Sequence, residues 1–220
     1  MVKVQGNELF LYDVIGPSYW GYISGIDVVN ALEPLKGQRV TVRLNSPGGS
    51  VDEGVAIYNA LKRHEGGVDV IVDSLAASMA SGIAMAGETV TMTKGSRMMI
   101  HSPWSIATGN AKSLRKEADI LDTYEDSLIE LYGRAKVSGK KLREMLSEET
   151  WMTAQQAVDF GFADKIDGVA VEEPTVPKDI FQKLPDDVHV AASLPVRRRD
   201  LAKILIAATR VKHGLFDKSR

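Results

Sequence analysis

The sequence predicts an α/β fold. Three observations lead there: β-branched strands, glycine loops and helical periods alternate from Glu8 onward; a long amphipathic period fills residues 110–136; and the 220-residue chain, 44% hydrophobic, has apolar material for one well-buried domain with sequence to spare.

Glu8 to Val14 alternates as a strand, and Ile26 to Leu35 has the period of a short helix ended by Pro34 and Gly37. Arg39–Leu44 is a β-branched strand running into Asn45-Ser46-Pro47-Gly48-Gly49, where two glycines free the backbone for unusual dihedrals. Ser50 and Glu53 have capping-box spacing, so a helix is expected from Ser50 to Arg63. Val68–Val72 is the next strand. Leu75–Gly87 (LAASMASGIAMAG) is expected to be a buried helix, because Ala, Ser and Gly let neighbouring backbones approach closely. Strands follow at Val90–Thr93 and Arg97–Ile100, the second ending on His101.

Asn110–Lys136 carries Leu114, Ala118, Leu121, Leu128, Tyr132 and Ala135 at three- and four-residue steps, a stripe widened by Tyr124 and Leu131. It is broader than one small domain needs and predicts a subunit contact. Lys140–Leu146 is a short helix, Thr153 caps another through Phe160, Gly161 closes it, and Ala163–Ile166 returns as a strand.

The core domain is expected to span residues 1–168. Residues 169–195 hold Pro174, Pro177, Pro185 and Pro195 among acidic residues, a linker composition. Residues 196–220 are a basic amphipathic tail, read either as a solvated helix or as a docking segment removed during assembly. Its eight Lys or Arg against Asp200 and Asp217 give +6, so the formal total of −2 leaves −8 on residues 1–195. A core of that sign has no bulk attraction to nucleic acid or membrane. Cysteine is absent, which excludes disulfides, thiolate metal sites and cysteine nucleophiles. No stretch reaches the ~18 apolar residues of a membrane span, so a cytoplasmic protein without metal or cofactor is expected.

A serine hydrolase needs a base within reach of the hydroxyl, a group that orients the base, and donors for the developing oxyanion. Ser78 stands at a strand-to-helix transition and His101 follows the apolar run Met98-Met99-Ile100. The backbone N–H groups of Met79 and Gly49 are candidate oxyanion donors. On these residues alone, Ser78 also reads as a small packing residue and His101 as a hydrogen-bonded structural one.

Four blocks carry a resemblance: Asn45–Val51, then Ala76–Ala80, then Met99–Pro103, then Trp151–Ala154 with Ala157 and Gly161. They are similar, in order and at compatible intervals over residues 8–168, to the Clp protease proteolytic subunit family. The resemblance implies a ClpP/crotonase-like spiral of strand-strand-helix units and a Ser-His-acid triad. It also implies protein or peptide substrates and a homo-oligomeric, heptamer-like ring around the active sites. Ser78 matches the nucleophile, His101 the base, and the amides of Gly49 and Met79 the oxyanion hole. The family places an aspartate two residues before the last block's aromatic. Here that position is Glu149, ahead of Trp151, with Glu148 as the fallback.

Residues 54–63, 99–104 and 149–154 more closely resemble the phage head maturation (prohead) protease branch. That branch implies an ATP-independent endopeptidase processing capsid or scaffold proteins in the cytoplasm of a bacterial host. The few residues before Glu8 leave little for the axial loops that meet an ATPase, so no ATPase partner is expected. Two other classes share parts of the pattern: a crotonase-type acyl-CoA enzyme, which needs no Ser-His pair, and an assembly scaffold with a residual peptidase site. Within the peptidase reading, Lys94 or Lys112 could form a Ser-Lys dyad, and Ser81, one helical turn on, is the rival nucleophile.

Overall fold

The computed structural model describes residues 2–170. The chain divides into Met1–Pro174 and Thr175–Arg220, and every described residue belongs to the first unit. The expectations for the basic tail, and for the linker from residue 171 on, lie outside the described residues.

The strands are β1 (Lys3–Gln5), β2 (Glu8–Leu11), β3 (Val40–Ser46), β4 (Val68–Ala77), β5 (Thr89–Lys94), β6 (Arg97–Ile100), β7 (Thr150–Thr153) and β8 (Lys165–Ala170). The helices are α1 (Gly25–Leu32), α2 (Val51–Lys62), α3 (Met79–Ala84), α4 (Ala111–Leu131), α5 (Gly139–Ser147) and α6 (Ala154–Asp159). One sheet runs in the order β1-β2-β3-β4-β5-β8, and β6 and β7 branch from β4. Pairing is parallel from β2 to β8 and between β4 and β6, and antiparallel at β1 and β7. Ahead of Glu8, where the sequence reading places no strand, Lys3–Gln5 form β1, which closes a hairpin onto β2.

Alternation in β3 turns Val40, Val42, Leu44 and Ser46 into the core and leaves Thr41, Arg43 and Asn45 half-buried on the other face. Ser50 caps α2 by accepting from the Glu53 amide at 3.4 Å, as the spacing predicts. The Glu53 carboxylate does not return to Ser50, however, but accepts from the Gly25 amide at 2.7 Å. Gly25 starts α1 so close to α2 that a Cβ there would lie 2.7 Å from that of Ala56, and its N–H lacks an acceptor within the helix, whereas the Ser50 N–H is taken by the Ile15 carbonyl.

The expected helix from Leu75 is the main departure from the sequence reading. β4 continues to Ala77, and α3 begins only at Met79. Strand partners on both flanks override the helix preference of the alanines: β3 on one side, Arg97–Met99 of β6 on the other. β4 bends on the way. Leu44 pairs with Val72 and Ser46 with Ala76, so β4 holds extra residues against β3, and its other flank passes from β5 to β6.

Asp73 sits at that bend, 1% exposed. It takes the Arg43 guanidinium in a two-point ion pair and the Tyr12 hydroxyl, while the Thr93 hydroxyl donates to its carbonyl at 2.7 Å. Asp73→Ala takes the two-point partner from the half-buried Arg43 guanidinium, leaving it Glu8 at 3.8 Å, and the acceptor from the Tyr12 hydroxyl, and is expected to lower stability by about 2 kcal/mol in urea unfolding. An unchanged midpoint would show that the bend does not depend on it.

α4 is 21 residues long, yet Leu128 is its one buried residue, and Leu114 and Ile120 stand exposed. Of the predicted stripe, the N-terminal Leu114 and Ala118 are exposed, while Leu121, Tyr124, Leu131 and Ala135 are half-buried and Leu128 and Tyr132 are buried against the core.

Candidate active site

Ser78 follows the last residue of β4 and is the N-cap of α3, with φ 53° and ψ −130°. Its amide donates to the Met99 carbonyl at 2.9 Å, which ties it to β6. An N-cap serine ordinarily turns its hydroxyl onto the first amides of its helix. This one makes no capping bond, and its Oγ lies 2.8 Å from His101 Nε2.

Strand register explains the meeting. β4 and β6 run parallel with Ala77 level with Met99, so the end of β6 delivers His101 beside Ser78. β6 and β7 run antiparallel with Ile100 opposite Thr150, so Glu149, one before Thr150, faces His101, one after Ile100. Glu149 is 8% exposed, and its Oε2 lies 3.9 Å from His101 Nδ1, a charge contact longer than a hydrogen bond. Its Oε1 accepts from Trp151 Nε1 at 3.4 Å. Glu148 is the exposed C-cap of α5.

Among the described residues other than glycine, only Ser78 and Glu149 have positive φ, 53° and 49°. A side chain held there costs on the order of 1 kcal/mol. Glu149 occupies the place after the α5 C-cap where helices commonly end on glycine. The surroundings force both residues into conformations their own chemistry disfavours.

Burial holds the His101 imidazole below the ordinary histidine value of 6.5, because a cation is poorly solvated there; the Glu149 charge opposes this. His101 is therefore neutral at pH 7 and able to accept a proton.

The two glycines of the loop are required by contact. A Cβ on Gly48 would lie 2.8 Å from both the Met79 nitrogen and Ser78 Cβ, and one on Gly49 would lie 2.1 Å from the Ile15 carbonyl oxygen. The Ile15 amide donates to Gly48 O and the Ser50 amide to Ile15 O, a parallel bridge that turns Gly49's own N–H away from Ile15. Met79 is the first residue of α3, so its N–H has no acceptor within the helix.

Ser81 is 0% exposed and its hydroxyl donates to the Ser78 carbonyl at 2.5 Å, which removes it as a rival nucleophile. Sequence reasoning missed two supports of the site. The amide of Ser102 donates to the Leu146 carbonyl at 2.9 Å and its hydroxyl to Glu125 Oε2 at 2.6 Å, fixing the chain just after His101. The Trp151 indole, on β7, donates back to Glu149 just before the strand.

The profile of the Clp protease family matches residues 26–169. The chain belongs to the Clp protease family. It is 36% identical over 174 residues to ATP-dependent Clp protease proteolytic subunit 1 of Protochlamydia amoebophila, covering 74% of this chain and 81% of that one. To the corresponding subunit 1 of Chlamydia abortus it is 38% identical over 137 residues, covering 59% and 70%. The fold is similar to that of a ClpP1 mutant from Listeria monocytogenes, with TM-score 0.64 and 21% identity over 74% of this chain and 92% of that chain. The mixed α/β fold is thus that of the family, whose members are serine-type peptidases that hydrolyse proteins and form rings. The acyl-CoA reading is not favoured.

Proposed function

We propose that the chain is an endopeptidase in which Ser78 is the nucleophile, His101 the general base and Glu149 the third member. The observation that carries this reading is Ser78 Oγ at 2.8 Å from Nε2 of a neutral, part-buried His101, with the serine held in a strained elbow instead of capping its helix. As Oγ bonds to the scissile carbonyl carbon, its proton passes to Nε2. The carbonyl oxygen becomes an oxyanion received by the N–H groups of Met79 and Gly49, and the Glu149 charge stabilises the imidazolium. His101 then returns the proton to the leaving amine. Water, deprotonated by the same nitrogen, releases the acyl group. Nothing in this sequence consumes a nucleotide.

The proposed substrates are phage capsid or scaffold proteins in a bacterial host cytoplasm, a reading supported by the similarity of residues 54–63, 99–104 and 149–154 to head maturation proteases. The exposed Leu114, Ala118 and Ile120 in the first half of α4 support subunit contact in a ring. Incubation of the purified protein with a phage scaffolding protein and with casein, without nucleotide, tests the substrate class and the independence of ATP. Discrete cleavage of the scaffold supports the reading; degradation that requires an added ATPase and ATP contradicts it.

The base works only when neutral, so kcat/KM is present above the His101 pKa and lost as pH falls through it. The acid limb is expected below 6.5, with a plateau through neutrality. Glu149→Gln removes the charge that raises this pKa and moves the limb lower still. A limb centred above 7 would show that another group is being titrated.

A further inference from the structure

A chain of hydroxyls runs behind the nucleophile. Tyr132, the C-cap of α4, lies buried with its hydroxyl 2.8 Å from Ser81 Oγ, and its ring meets Phe162 edge-on at 5.6 Å. Ser81 Oγ in turn donates to the Ser78 carbonyl at 2.5 Å, and the Ser81 amide donates to the same oxygen at 3.0 Å. Since the Ser81 proton is committed to that carbonyl, Tyr132 is the donor in its own bond to Ser81. Burial raises the phenol to about 12, so it keeps its proton at any working pH.

The carbonyl held in this way belongs to the peptide unit whose N–H is that of Met79. In a trans peptide the C=O and N–H point in opposite directions in one plane. Two donors that pin the Ser78 oxygen toward Ser81 therefore aim the Met79 N–H the other way, out of the helix end. Gly48 also lies close to this unit, since a Cβ there would be 2.8 Å from the Met79 nitrogen. Ser78, from which this unit extends, has φ 53° and ψ −130°.

We propose that Ser81 and Tyr132 are positioning residues for the oxyanion-binding amide of Met79, Ser81 by holding the Ser78–Met79 peptide plane and Tyr132 by orienting the Ser81 hydroxyl. This rests on the peptidase reading above. The relay has a second effect: hydrogen bonds onto a peptide oxygen polarise the unit and make its N–H a stronger donor, and donors in series reinforce one another. Both effects act when charge develops on the substrate oxygen and not when the substrate binds. Tyr132 also connects the last turn of α4 to the nucleophile.

Steady-state kinetics of Ser81→Ala, Tyr132→Phe and the double variant in the full-length assembled protein test the proposal. Ser81→Ala is expected to lower kcat about 10-fold and Tyr132→Phe about 3-fold, each with KM unchanged. Affinity for a peptide boronate, whose tetrahedral adduct occupies the same amides, falls with kcat, while the acid limb of the pH profile stays in place. Because Tyr132 acts through Ser81, the double variant matches Ser81→Ala in kcat. It melts higher than Ser81→Ala, which leaves a buried phenol without its partner. Should Ser81→Ala not fold, Tyr132→Phe carries the test, since it deletes one oxygen from a ring still packed on Phe162. The proposal is overturned if folded variants keep kcat within twofold of wild type, if the loss falls on KM, or if the two losses multiply. A wild-type protein that neither cleaves peptides nor reacts with a fluorophosphonate overturns the peptidase reading itself, and this proposal with it.

Discussion

Replacing His101 with alanine lowers kcat/KM for peptide hydrolysis by about 10⁴-fold or more, with little change in stability. Serine is a weak nucleophile at neutral pH, and the group placed to take its proton is His101 Nε2 at 2.8 Å. A Ser-Lys dyad finds little support in the fold. Lys94 ends β5, which pairs with Asp69–Val72 of β4 and not with the Leu75–Ala77 half that leads into Ser78. Lys112 is exposed in the first turn of α4. Peptide cleavage retained by His101→Ala at a tenth of the wild-type rate or better would reverse this assignment.

Substitutions of Glu149 are expected to move activity and stability in opposite directions. Glu149→Gly removes a buried carboxylate and relaxes a residue held at φ 49° after a helix C-cap, where glycine is the unstrained choice. It should raise unfolding stability by about 1 kcal/mol and lower kcat about 100-fold or more. Glu149→Gln separates the two causes: it keeps the backbone strain and discards the charge, so activity falls without the same gain in stability. Urea unfolding and kcat measured on the same preparations decide the matter. A Glu149→Gly protein that is both fully active and more stable would show that the carboxylate does no chemistry, and that the 3.9 Å contact with His101 is incidental.

How far the fold and the site could be read in advance depended on how local each signal is. Ser50 and Thr153 were recognisable as caps because a cap is a matter of a few adjacent residues, and each accepts from the amide three residues on. Leu75–Ala77 was misread because Ala and Leu favour a helix unless strands flank them, and the flanking strands come from Ser46 and from Arg97–Met99, distant in sequence. β7 was missed for the same reason, since four residues between two helices become a strand only through β6. The meeting of Ser78 with His101 is a consequence of β4–β6 register, which no local pattern contains; the family blocks supplied it instead. The relay from Tyr132 through Ser81 was invisible, because Ser81 reads as a rival nucleophile, Tyr132 as part of an apolar stripe, and their meeting spans 51 residues.

The central claim is that Ser78 is an activated nucleophile, and the most direct test is the site of covalent capture. Assembled wild-type protein treated with a fluorophosphonate and digested for peptide mapping should carry the phosphonyl group on Ser78, with no adduct in Ser78→Ala and strongly slowed labelling in His101→Ala. An adduct on another serine, or equal labelling of Ser78→Ala, would contradict the account.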